Sequence, residues 1–170
     1  NGINILEDPI EAKRHIGFLP EQPPVYPDMT VSEYLNFVYE LKGVKLPREE
    51  HLSGIITSVR LSEVKNRLIK NLSKGYKQRV GIAQALVGDP EIIIFDEPTV
   101  GLDPKQIIEI RNLIKSLSEQ HTIILSSHIL TEVQAVCDRI VVINEGKLVA
   151  DDTESNLSNK LSKDNRFTVR

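Results

Sequence analysis

The sequence predicts an α/β fold, a mostly parallel sheet flanked by helices with a helical subdomain inserted into it. Three observations carry this. Ile92-Ile93-Ile94-Phe95 is a continuous apolar run rich in β-branched residues, the composition of a strand covered on both faces. Thr122 to Leu125 reads as a second buried strand, after a stretch from Pro104 to Leu117 with apolar residues at helical spacing. Between Thr30 and Val59, two amphipathic patterns follow one another with no strand between them.

Taken in order, Asn1-Gly2 is a favoured hairpin-turn dipeptide, so the chain is expected to open in the middle of a structure. Arg14 to Leu19 predicts a short strand stopped by Pro20. Thr30-Val31-Ser32-Glu33 has the capping-box pattern, and Val31, Tyr34, Leu35, Val38 and Leu41 keep helical register up to Gly43. A second helix is expected from Pro47, with Leu52, Ile55, Ile56 and Val59 on one face. The basic residues from Lys65 to Lys77 read as a solvated face. Ser73 stands where an N-cap belongs, and Val80, Ala83 and Val87 continue a helix that Gly88-Asp89-Pro90 ends. Pro104 suits the start of another, with Ile107, Ile110, Ile114 and Leu117 facing inward. A further helix is expected to carry Val133, Val136 and Cys137. Arg139 to Ile143 and Lys147 to Ala150 predict a hairpin around Asn144-Glu145-Gly146. A short helix over 154–161 and a strand over 166–170 complete the reading, and both ends look cut.

Composition narrows the class. A chain of 170 residues with 40% apolar content has material for one domain with a subdomain. Its net charge of −3 gives no basic excess for a phosphate backbone, so nucleic acid is not expected as a partner. The single cysteine, Cys137, has no internal disulfide partner and reads as core packing. No secretory pattern is seen at the start, which agrees with a cytoplasmic setting.

The chemistry gathers at strand ends. Asp96 and Glu97 follow the first apolar run directly, and ligands of open α/β sheets lie at the carboxyl ends of strands. Two carboxylates there suit a metal ligand and a general base. His128 leaves the end of the second run, whereas His15, His51 and His121 have no motif around them. Ser73 opens a helix whose N-terminal amides and dipole suit an anion. Read without context, Ser73 is an ordinary cap and Asp103 a helix-capping turn acid.

The stretch from Leu72 to Pro104, LSKGYKQRVGIAQALVGDPEIIIFDEPTVGLDP, resembles the heart of an ABC-type ATPase. Leu72-Ser73-Lys74-Gly75-Tyr76 is similar to that family's signature before a helix, Ile92 to Glu97 to its Walker B strand, and Gly101-Leu102-Asp103-Pro104 to its D-loop. Ser127-His128 matches the switch histidine, and Ile16 to Pro20 the strand entering the Q-loop. The similarity runs from about Gly2 to Thr153. It implies a P-loop NTPase-like fold, with residues 1–27 as the end of an N-terminal β region and Q-loop strand and 28–88 as the helical subdomain with the signature. Residues 89–152 are then half of the catalytic core and 153–170 a tail.

The resemblance also implies roles. Asp96 holds Mg²⁺ through water, Glu97 polarises the attacking water, and His128 bonds the γ-phosphate of ATP. Ser73, Lys74, Gly75 and Asp103 serve a nucleotide held by a second copy in a head-to-tail dimer. At the Q-loop the usual glutamine is replaced by Glu21, with Gln22 one place later; Glu21 is taken as the metal-side residue, and an acid on a polar loop remains the alternative. The signature departs from Leu-Ser-Gly-Gly-Gln at Lys74 and Tyr76. The helical subdomain is expected to receive a transmembrane permease, which places the chain on the inner face of the membrane. Leu-Ser-Lys-Gly-Tyr and Leu-Pro-Glu look like bacterial exporter-type cassettes. A soluble ABC-type ATPase acting on ribosomes or DNA, and a non-catalytic cassette, are the other classes. G-x-x-x-x-G-K-[ST] does not occur in the 170 residues, so this chain as given is expected to bind MgATP poorly.

Overall fold

The computed structural model of the chain describes residues 2–153 and Asn156. They fall into two compact units, the first up to Ser126 and the second from Ser127 on. Asn1 of the opening turn, the expected helix over 154–161 apart from Asn156, and the expected strand over 166–170 lie outside the described residues.

The first unit is an α/β structure. It runs α1 (Pro9–Arg14), β1 (Ile16–Leu19), α2 (Val31–Leu41), α3 (Arg48–Ser58), two short 3-10 turns (Ser62–Val64 and Ile69–Asn71), α4 (Lys74–Leu86), β2 (Ile92–Asp96), α5 (Pro104–Leu117) and β3 (Thr122–Ser126). The three strands are parallel with β2 in the middle. Leu19 pairs with Phe95 and Phe95 with Leu125, and Asp96 pairs with Ser126 one residue further. Parallel pairing brings all three carboxyl ends to one edge of the sheet.

Several boundaries differ from the sequence reading. The first strand starts at Ile16 rather than Arg14, because α1 occupies the preceding residues; Asp8 caps it by accepting from the Glu11 amide, and Pro9 fills its first position. The expectation that β2 is covered on both faces is corrected. Ile93 and Phe95 are fully buried, but Ile92 and Ile94 are half-buried. β3 is not the buried strand expected either, since Ile124 is 52% exposed. The reason is that β3 is an edge strand, and α4 lies on the Gly17 side of the sheet while Phe18 and Ile124 on the other side stay exposed.

Helix α4 meets the sheet through two bare backbone positions. A Cβ on Gly17 would stand 2.3 Å from the Ala85 carbonyl oxygen. On the helix side, a Cβ on Gly81 would stand 2.5 Å from Leu19 Cδ1 and 2.8 Å from Pro23 Cβ. Neither position admits a side chain without moving an element.

The α2–α3 insertion forms as the pattern predicts. Thr30 caps α2 by accepting from the Glu33 amide, while the Glu33 carboxylate accepts from the Thr30 amide at 2.7 Å. That backbone bond holds the Glu33 carboxyl below its ordinary range. Leu52, Ile55 and Val59 of the second pattern are buried and Ile56 is half-buried. The insertion also secures the far end of α4. Lys42 Nζ donates to the Val87 carbonyl at 2.7 Å, and the Gly88 amide donates to His51 Nε2 at 3.0 Å. That nitrogen accepts only when unprotonated, and burial pushes the His51 imidazole below its ordinary range.

The second unit holds α6 (Leu130–Gln134) and an antiparallel hairpin of β4 (Arg139–Asn144) and β5 (Lys147–Thr153). The helix is shorter than expected. Val136 and Cys137 follow it in a turn whose amides both donate to the Val133 carbonyl. Cys137 is half-buried rather than part of the core, and burial raises its thiol above its usual value. β5 runs on to Thr153 rather than stopping at Ala150. Glu145 and Gly146 both adopt positive φ, 50° and 72°, the conformation of a two-residue hairpin turn.

Candidate functional site

The first cluster forms at the strand ends. Asp96 closes β2 and Ser126 closes β3, side by side on the same face of the sheet. Ser126 Oγ donates to Asp96 Oδ1 at 2.5 Å. The Glu97 amide donates to the Ser126 carbonyl at 3.1 Å and lies 3.3 Å from its hydroxyl. One serine therefore orients the carboxylate of one acid and the backbone of the next.

Glu97 has φ 46°, a left-handed conformation that costs a non-glycine residue about 1–2 kcal/mol. The chain turns at once after the strand, with the Val100 amide donating back to the Glu97 carbonyl at 3.3 Å. An acid in such a backbone at the end of a central strand is the kind of strain that functional sites carry.

The second cluster is a pair of helix tips. Ser73 caps α4, its hydroxyl accepting from the Tyr76 amide at 3.4 Å, longer than an ordinary N–H···O bond. Asp103 caps α5, accepting from the Gln106 amide at 3.0 Å. Ser73, Gly75 and Asp103 line one cleft of about 580 Å³, together with Arg60, Tyr76 and Lys105. The tips touch. A Cβ on Gly75 would lie 2.7 Å from the Gln106 side-chain carbonyl, and one on Gly101 would lie 2.0 Å from Lys74 Nζ. Lys74 thus lays its ammonium over the turn before α5.

Glu21 and Gln22 are exposed, just beyond the carboxyl end of β1 and so at the sheet edge that carries Asp96. His128 stands in the second unit, two residues after β3 ends. Among the described residues no group of three or more His, Cys, Asp or Glu side chains is gathered to hold a metal. The oxygen donors of Asp96 and Ser126 nevertheless suit a hard cation such as Mg²⁺, which takes one or two carboxylates and keeps several waters.

Two features escaped the sequence reading. Ser126 belongs to none of the motifs, although its position opposite Asp96 follows once the two apolar runs are paired in register. Arg79 belongs to no motif, yet it falls in the buried stripe of Gly75, Ile82, Ala83 and Leu86 and is itself 7% exposed. A charge in a buried stripe is a signal that can be read from spacing.

The family pattern described as "ABC transporter" matches residues 2–100, more than half of the chain. The chain is 40% identical over 139 residues to the lantibiotic transport ATP-binding protein SrtF of Streptococcus pyogenes, covering 81% of this chain and 59% of that protein. It is 38% identical over 152 residues to the bacitracin transport ATP-binding protein BcrA of Bacillus licheniformis, with 88% and 49% covered. Among solved structures, cbiO1 from Clostridium perfringens, part of the ABC transporter complex cbiONQ, superposes with a TM-score of 0.79 at 27% identity, over 91% of this chain and 63% of that one. The chain spans between 10% and 59% of the length of such curated relatives.

Proposed function

The chain belongs to the ABC transporter family, and on that premise we propose that it supplies the hydrolytic residues of an ATPase subunit that powers transport. The observation that carries the reading is the Asp96–Ser126–Glu97 arrangement, with Glu97 held in a left-handed backbone at the end of the central strand. In this reading water attacks the γ-phosphorus of ATP, the bond to the β-phosphate oxygen breaks, and Glu97 accepts the proton of the water. Asp96, held by Ser126, would hold Mg²⁺, with Glu21 as a second oxygen donor from the β1 end. Mg²⁺ when bound neutralises charge on the phosphate oxygens. His128 bonds the γ-phosphate. Ser73, Lys74, Gly75 and Asp103 serve the nucleotide of a second copy, where a helix tip offers amides and a positive dipole end.

The helical insertion is the surface that receives a transmembrane permease, and the cargo direction is export. Similarity to the lantibiotic and bacitracin transport ATP-binding proteins supports the transport role. Among the described residues no helix is long and apolar enough to cross a membrane. In the proposed reading the subunit sits at the inner face through its permease, and affinity capture of the complete protein should recover a multi-span membrane protein; recovery of ribosomes or DNA instead would reverse this part.

The deciding experiment compares three proteins. Glu97→Gln in the complete protein should slow ATP turnover by about 10²- to 10⁴-fold, the usual worth of a general base, with ATP-driven dimerisation intact. Unchanged turnover removes Glu97 from the role. The 170 residues alone, which contain no G-x-x-x-x-G-K-[ST], should give no tight saturable MgATP binding by calorimetry.

A further inference from the structure

The turn that joins α4 to β2 is gripped by three of the four histidines, each from a different part of the first unit. His51 of α3 accepts from the Gly88 amide through Nε2 at 3.0 Å. His121, just before β3, donates through Nδ1 to the Pro90 carbonyl at 2.8 Å. His15, the C-cap of α1, places Nδ1 2.9 Å from Glu91 Oε2. The turn they hold is sharply bent, with Gly88 and Asp89 at φ 96° and 52° in succession. A left-handed residue other than glycine persists only where its surroundings fix it.

The partners decide what each ring can do. A carbonyl and a carboxylate accept and cannot donate, so Nδ1 carries the hydrogen on His121 and on His15. A second proton leaves both bonds in place. On His15 it turns the bond into an ion pair, which adds little because the two side chains are 30% and 54% exposed. Glu11, itself paired with Arg14, faces the same ring from 3.7 Å. His51 is the reverse case: its Nε2 accepts from an amide, and a proton there sets donor against donor.

The surroundings of His51 favour the neutral ring. Burial is the largest influence and lowers its proton affinity, Asp89 of the turn acts against it, and the Lys42 ammonium acts with it. Lys42 is anchored at the end of α2 on the Gln84 and Val87 carbonyls, at 3.3 and 2.7 Å. Tyr39 of α2 lies beside the imidazole with centroids 6.4 Å apart; Arg48 stacks over that tyrosine and pairs with Glu40.

We infer that the α4–β2 turn is a proton-sensitive joint, with His51 as the sensor and His15 and His121 as holds that a proton does not release. At neutral pH all three grip the turn; in acid the Gly88 amide loses its acceptor while Pro90 and Glu91 stay held. Because folded His51 titrates below an ordinary histidine, its contribution is complete above about pH 6.5 and is lost as pH falls through the folded value. The joint lies between the helix that opens with Ser73 and the strand that ends in Asp96. It stands independently of the nucleotide roles proposed for those residues.

The test is amide hydrogen exchange at single-residue resolution on the complete protein, each rate compared with that of an unstructured chain at the same pH. From about pH 7.5 to about pH 4.5 the protection of Gly88 should fall about tenfold, the order expected when a hydrogen bond loses its partner. Ile92 and Thr122, whose amides donate to the His15 and Glu91 carbonyls, should keep theirs. His51→Gln, whose side-chain oxygen can accept from the same amide without titrating, should make the Gly88 profile level. Parent protection at Gly88 that does not change with pH overturns the joint, as does an equal fall in His51→Gln or an equal fall at all three amides. If His51→Gln fails to fold, Asp89→Asn decides, since Asp89 is exposed and asparagine tolerates its left-handed backbone. Loss of that charge should carry the Gly88 midpoint to lower pH; a midpoint that stays or rises removes His51 as the sensor.

Discussion

The acid-bearing strand end and the signature helix tip sit in the same unit but are held by opposite means. Ser73 and Asp103 are fixed by caps that span three residues of their own helices. Asp96 and Glu97 are fixed by Ser126, some 30 residues further along the chain. A local cap forms wherever the helix forms, whereas the strand-end arrangement exists only when β2 and β3 are paired in register. The difference teaches that the chemistry at Asp96 depends on the sheet, and that the tips are preformed pieces whose placement depends on their neighbours.

This comparison can be broken first at Ser126. Ser126→Ala removes the donor to Asp96 and the hydroxyl beside the Glu97 amide, and in the complete protein Mg²⁺ affinity in the presence of ATP should fall by about 10- to 100-fold, the usual effect of losing a residue that orients a metal ligand. Titration of turnover against Mg²⁺ measures it; an unchanged midpoint would mean that Asp96 needs no such support. Glu97→Gly sharpens the same point from the backbone side. It should abolish the base, yet leave thermal stability equal or raised by up to about 1 kcal/mol, because glycine relieves a left-handed residue. A marked loss of stability would show that the Glu97 side chain is chiefly structural. Ser73→Ala should have the smallest effect on folding, about 0.5–1 kcal/mol by denaturant titration, since its cap bond is long and replaceable by water. A cost well above that would make the tip as dependent on its side chain as the strand end is on Ser126.

Legibility followed the range of the interaction. The capping box at Thr30, the caps at Ser73 and Asp103, and the proline at 104 are written within a few residues, and the helices they start were placed from sequence to within a residue or two. Asp8-Pro9 carries the same kind of signal and could have revealed α1. What could not be seen was which face of the sheet is covered. Ile92 to Phe95 is apolar throughout, and no local pattern says that Ile94 and Ile124 share the less covered side. Arg79 was missed for a related reason. The basic residues from Lys65 to Lys77 read as a solvated face, and Arg79, two places beyond them, is set apart by the buried stripe it falls in and by its two acceptors on α3 and α5.

The contact of Gly17 with Ala85, and of Gly81 with Leu19 and Pro23, has a mechanical consequence. At Gly17 the sheet meets the α4 backbone directly, and at Gly81 the Leu19 and Pro23 side chains lie against the bare helix backbone, in an interior that compresses little. The loop that carries Glu21 is therefore in close contact with α4 through Pro23. A substituent on either glycine would act as a wedge, forcing β1 or the loop after it away from α4.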